Sequence, residues 1–163
     1  MEKLSAELAE AMIAYYHGDA KRIHHFMKVY AFAETIAVSE QVNAKRREII
    51  EAAALVHDIG IHAAEKKHKS AAGCYQEIEG PPIACAMLMQ IGYSSSVVDR
   101  VCFLVGHHHS YQAIDEIDFQ ILVEADFLAN VLDEGMKAKA VREFRDRYFK
   151  TEAGITLLNH IIE

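Results

Sequence analysis

Apolar residues recur at three- and four-residue intervals along nearly the whole chain, and no alternation of apolar and polar positions persists far enough to mark a strand. The spacing predicts helices over roughly 2–16, 20–41, 45–57, 81–91, 95–106, 116–134, 137–149 and 152–161. Turn chemistry separates them. Gly18-Asp19 and Asn43 mark turns, Pro81-Pro82 suits a helix start, and Gly92 suits a stop, with Ser94-Ser95-Ser96 supplying the next N-cap. Lys150-Thr151-Glu152 suits the start of the last short helix, which with 137–149 would close a helix bundle. No repeat, low-complexity tract or long linker interrupts the pattern, so residues 1–163 read as one all-α domain.

A few polar residues stand where this pattern calls for apolar ones. His57-Asp58 closes the run Ala53-Ala54-Leu55-Val56, and Gly60 follows where a helix often takes a left-handed residue. An interior of Ala, Leu and Val holds an ionised Asp only if something repays its lost hydration, and a divalent cation is the strongest such partner. The competing reading is a buried His–Asp pair at a helix end. Upstream, His25 shares a helical face with Val29, Phe32 and Ile36, whereas His24 shares its face with Lys28, Ala31 and Thr35 and should point to solvent. Downstream, Asp126 is flanked at helical spacing by Phe119, Leu122, Val123 and Ala129, which would make an unpaired carboxylate expensive.

The order His25, His57-Asp58, Asp126 resembles the ligand pattern of the HD-domain superfamily of metal-dependent phosphohydrolases. The resemblance runs from about Arg22 to about Leu132. Its parts are Arg22-x-x-His25-x-x-x-Val29, then Ala54-Leu55-Val56-His57-Asp58-Ile59-Gly60, then Glu124-Ala125-Asp126-Phe127-Leu128. The stretch from Glu79-Gly80-Pro81-Pro82 to Ile91-Gly92 is similar to the helix that members place before the last motif. The resemblance implies a compact single-domain helix bundle with a central metal site whose ligands are His25, His57, Asp58 and Asp126. Two imidazoles and two carboxylates suit one divalent transition metal (Fe, Mn, Co, Ni or Zn) better than Ca. Such an ion acidifies a bound water and polarises a phosphoryl oxygen, with Asp58 both ligand and proton acceptor. Hydrolysis of a small phosphorylated molecule, a nucleotide or other phosphomonoester, is the expected reaction.

Around these four stand weaker candidates for substrate contacts. Arg22, Lys66 and Lys67 could meet a phosphate, and the lysines could equally belong to a solvated loop over 61–79. In His107-His108-His109 the first two are candidates and His109 is expected to be exposed. Dinuclear family members carry a further histidine about four residues before the glycine matching Gly80, where this chain has Gln76 beside Glu77. That departure makes a second metal doubtful and turns Gln76 and Glu77 into candidate substrate contacts. Two other readings stay open: a di-iron HD oxygenase, and a non-catalytic binding or regulatory module that keeps its metal for structure.

Composition narrows the partners. A hydrophobic share of 52% with 25% charged residues is ordinary for a globular domain, and the net charge of −7 argues against a duplex nucleic acid partner. The acidic, amphipathic start of the chain has no signal-peptide character, no segment suits a membrane span, and the three cysteines lack Cys-x-x-Cys spacing. Those features predict a cytoplasmic protein with reduced thiols. Met12, Tyr15, Tyr16, Met87 and Met89 suit either a core or the contact of a homo-oligomer.

Overall fold

The computed structural model describes residues 2–162. Those residues form nine α-helices and a short 3-10 turn at Tyr111–Ala113, with no strand among them. The helices are α1 (Lys3–Tyr15), α2 (Ala20–Ser39), α3 (Ala44–Val56), α4 (Ile61–His68) and α5 (Gly73–Ile91), followed by α6 (Ser95–Val105), α7 (Ile117–Glu134), α8 (Ala138–Tyr148) and α9 (Glu152–Ile162). Asp19 and Asn43 cap α2 and α3 by accepting from the amides of Arg22 and Arg46 at 3.2 and 3.0 Å. Gly92 ends α5 in the left-handed conformation at φ +103°.

The centre of the bundle is α3. Every residue from Ile49 to Val56 is buried, and α1, α2, α6 and α7 all pack against it. Such a helix must be apolar around its whole circumference, and the small side chains of Ala52, Ala53 and Ala54 let the neighbouring helices approach closely. The second central element is α7, buried from Asp118 through Ala125 and in extensive contact with α2. Thus α2, α3 and α7 share one core, with His25 on α2, Asp126 on α7 and His57 at the C-cap of α3. Met12 and Tyr16 belong to that core as well, whereas Met89 is exposed.

Two stretches depart from the sequence-based expectation. Residues 61–68 form α4 rather than a loop, and α5 begins at Gly73, well before Pro81. Gly60 does not terminate the chain's rotation: its backbone is right-handed (φ −76°), and it leads directly into α4. The reason for glycine there is proximity. A Cβ on Gly60 would stand 2.7 Å from Gln76 O and 2.7 Å from Gly80 N, so α5 can cross the turn only where no side chain intervenes. Pro81 and Pro82 lie inside α5 and withhold two amide donors from its ladder. The helix persists because α4 and α6 flank it, and because Gly80 sits against Gly60 and Val105.

Candidate metal centre

Between Val56 and Ile61 the backbone tightens. Ile59 N donates to Val56 O and Ile61 N to Asp58 O, both at 3.0 Å, so the turn is closed by bonds three residues back. From α1, Tyr15 Oη donates to Ile59 O (3.1 Å) and Tyr16 Oη gives Asp58 O a second donor (2.7 Å), so the tyrosines hold the turn's carbonyls from outside. Burial and the charge of Asp58 push the Tyr16 phenol far up, so it remains a donor.

This turn aims His57 and Asp58 at His25 and Asp126. His57 Nε2 lies 3.4 Å from His25 Nε2, 3.5 Å from Asp58 Oδ2 and 3.6 Å from Asp126 Oδ1. His25 Nε2 lies 3.1 Å from Asp126 Oδ1 and 3.6 Å from Asp58 Oδ2. Donor atoms held about 2.1 Å from one ion stand roughly 3.0–3.4 Å apart in octahedral or tetrahedral geometry. The observed spacings lie at or slightly above that range, and the ligand atoms of His25, His57 and Asp58 all lie within 4.8 Å of one another. His57 donates Nδ1–H to Ala54 O at 2.9 Å, which in the neutral ring leaves Nε2 with its lone pair facing the other groups. Of the four sequence candidates for metal ligation, three thus group within reach of one ion, and the fourth, Asp126, adjoins them through both imidazoles.

Electrostatically the cluster calls for a cation. Burial alone would lower the pKa of His57, but Asp58 and Asp126 outweigh it and push the imidazole up to about 9. Desolvation would raise both carboxyls, yet His57 and His108 hold Asp58 well below the carboxylate range, and His25 and His57 do the same for Asp126. The proton that two ionised carboxylates hold on the buried His57 imidazole stands where a divalent ion would take its place.

A second group of donors adjoins the first. The ligand atoms of Asp58, His108 and His109 also lie within 4.8 Å of one another. His108 is buried, donates Nδ1–H to Val105 O at 2.9 Å, and leaves Nε2 without a hydrogen-bond partner at 3.4 Å from Asp58 Oδ1. Asp58 thus turns Oδ2 to one cluster and Oδ1 to the other. An orphaned, fully buried imidazole nitrogen beside a carboxylate suits an ion better than a packed core.

Here the sequence-based expectations need correction. His109 faces inward with Nε2 3.3 Å from Gln76 Oε1, and burial pushes its pKa down to about 4. His107 turns aside, donating Nδ1–H to Phe103 O at 2.7 Å and stacking on the Phe103 ring. The chain leaves α6 at Gly106 in a right-handed conformation, so the second and third histidines come round to the site and the first does not. A second set of donors is thereby assembled, with Gln76 at its edge. Glu77 is occupied otherwise, accepting from His109 N (3.0 Å) and Ser110 Oγ (3.1 Å) to hold this loop. Lys67 pairs with Glu79, which also meets His68 Nε2 at 3.0 Å, and Lys66 is exposed; neither lysine lines the cavity over His25 and Asp58.

That cavity, about 100 Å³, is lined by Lys21, Arg22, His25, Asp58, Asn130, Asp133 and Glu134. Arg22 reaches Glu65 only at 3.6 Å and so retains charge for an anion. Sequence reading missed Asn130 and Asp133. Both follow Asp126 along one face of α7, where Asn130 Nδ2 donates to Asp126 Oδ1 at 3.0 Å. The helical spacing of 126, 130 and 133 was the available signal.

The HD-domain family model matches residues 22–156, which takes in all four ligand positions. The chain belongs to the HD-domain family. A crystal structure of a predicted HD superfamily hydrolase from an uncultured Thermotogales bacterium is similar to this HD domain. Its TM-score is 0.66 at 22% identity, over 96% of this chain and 82% of that one. At that identity the likeness shows the fold. No curated protein matches the chain significantly. No helix among the described residues is long and apolar enough to cross a membrane.

Proposed function

We propose that this HD domain is a metal-dependent phosphohydrolase acting on a small phosphorylated molecule. The observation that carries the reading is the grouping of His25, His57 and Asp58, with Asp126 against both imidazoles, beside a cavity that His25 and Asp58 line. A bound divalent ion would supply Lewis-acid polarisation of the phosphoryl group and a more acidic water. The protein's own groups do the rest. Lys21 and Arg22 place positive charge at the mouth, which draws in and orients an anionic group. Asp58, kept ionised, is positioned to accept the proton of an attacking water through a carboxylate oxygen. The cavity opens to solvent beside His25 and Asp58, so a terminal phosphoryl group could enter while the rest of a substrate extends outward.

The test is elemental mass spectrometry of untagged protein purified without chelator, followed by a screen for phosphate release with the metal found. His57→Ala and Asp58→Ala should abolish both metal retention and turnover. A metal-loaded protein that releases no phosphate from any nucleotide or sugar phosphate would refute the reading and favour a non-catalytic module. The donor set of Asp58, His108 and His109 gives specific support to a second reading, a di-iron oxygenase. That reading requires two irons per chain and consumption of oxygen.

A further inference from the structure

Three of the histidines that face the site, His25, His57 and His108, are oriented in two ways. His57 and His108 each donate Nδ1–H to a carbonyl three residues back in their own segment. His25 is held instead by a side chain, with Nδ1 3.4 Å from Asp133 Oδ2. The other oxygen of Asp133 accepts from Lys28 Nζ. One turn of α2, carrying His25 and Lys28, thus faces two turns of α7, carrying Asp126 and Asp133, across the cavity mouth. Asp133 keeps 29% of its side-chain surface, so its contacts are polar ones at the rim rather than core packing.

A carboxylate on Nδ1 fixes the proton there, turns the Nε2 lone pair inward and makes the imidazole a stronger donor to a cation. We propose that Asp133, clamped by Lys28, is the positioning residue for His25. It sets the tautomer and ring orientation through which His25 holds the ion. The inference rests on His25 being a ligand, as argued above. It assigns a role to a residue outside the four candidate ligands.

The probe is Zn²⁺ on the full chain, measured by chelator competition, with proton NMR of the loaded protein. Asp133→Ala should weaken Zn²⁺ binding about 10- to 100-fold. Asp133→Glu, which restores the carboxylate, should recover most of that loss. The slowly exchanging Nδ1–H resonance of His25 should be present in the wild-type protein and absent from Asp133→Ala. A merely structural role would move neither the resonance nor its rescue. Should Asp133→Ala fail to fold, the near-isosteric Asp133→Asn carries the test, with a smaller loss expected. Affinity within twofold of wild type, with the resonance retained, would overturn the inference. His25→Ala separates the two levels: if it binds Zn²⁺ normally, the ligand assignment itself fails; if it loses Zn²⁺ while Asp133→Ala does not, only the positioning role falls.

Discussion

Glu124 stands two residues before Asp126, fully buried, and ties α7 to the chain entering α9. Its Oε1 accepts from Gln120 Nε2 (2.7 Å), Lys150 N (2.7 Å) and Thr151 N (3.0 Å), and its Oε2 accepts from Thr151 Oγ1. Thr151 in turn receives Gly154 N at 2.9 Å as the cap of α9. The packing is tight enough that a Cβ on Gly154 would stand 2.0 Å from Glu124 Oε2. Glu124→Ala leaves the amides of Lys150 and Thr151 without acceptors, while Gln120 keeps its bond to Tyr148 O. At about 1–3 kcal/mol for each of the two orphaned amides, the expected cost is about 2–6 kcal/mol.

Glu124→Gln should behave differently. Burial raises the carboxyl's pKa despite the four donors, so the pocket already favours a neutral group. With its oxygen at the Oε1 position, the amide keeps three acceptor contacts and offers Nε2 to Thr151 Oγ1. The expected cost is about 1 kcal/mol, roughly one neutral hydrogen bond. Urea titration or calorimetry measures both, the alanine variant losing about 4–24 °C in Tm at about 2–4 °C per kcal/mol. Equal destabilisation by the two substitutions, or an alanine variant within about 0.5 kcal/mol of wild type, would refute the hydrogen-bond account.

Four further outcomes are expected. Because the folded pKa of His57 is raised from 6.5 to about 9, its imidazolium stabilises the metal-free fold fully below pH 6.5 and loses that effect as pH rises through 9. The Tm of metal-free protein should therefore fall across this window while that of loaded protein does not, and metal affinity should rise with pH there; a flat metal-free profile would refute the assignment. Gly60→Ala, whose Cβ meets backbone atoms of α5 at 2.7 Å, should cost about 1–3 kcal/mol or more in chemical denaturation and lower metal retention. His108→Ala and His109→Ala should each leave the ion at the His25 cluster in place, and protein that holds two ions per chain should keep one; loss of all metal from either variant would contradict the separation into two donor groups. Tyr16→Phe removes one of two donors to Asp58 O and should cost about 1 kcal/mol in Tm measurements, with weaker metal binding than the loss of fold alone explains.

The candidate ligands were legible because each violates its surroundings. His25, His57, Asp58 and Asp126 interrupt apolar helical faces, and that conflict is visible without coordinates. Gly60 and Pro81-Pro82 misled because their ordinary meaning is punctuation. Here glycine serves a backbone crossing, and the prolines ride inside a helix supported from both sides. Residues 61–68 hid behind the same misread glycine. The choice among His107, His108 and His109 turned on how α6 ends, which Gly106 decides by staying right-handed. Asp133 gave no signal of its own, since it lies in the polar stretch Asp133-Glu134 at the end of α7; only its register with Asp126 distinguishes it.

The place of the site in the bundle follows from one local constraint. Adjacent residues on a regular α-helix diverge by about 100°, which would send His57 and Asp58 to different neighbours. The turn after Val56 instead closes through bonds three residues back, and the tyrosines of α1 hold its carbonyls from outside. Asp58 can then present one oxygen toward His57 and His25 and the other toward His108. Such a turn needs α5 close behind it, which requires the bare backbone of Gly60, and it needs α1 in front, which brings Tyr15 and Tyr16. Helices that contribute no ligand therefore shape the centre as directly as those that do. A substitution in α1 should accordingly reach the metal through the backbone of Asp58 rather than through its side chain.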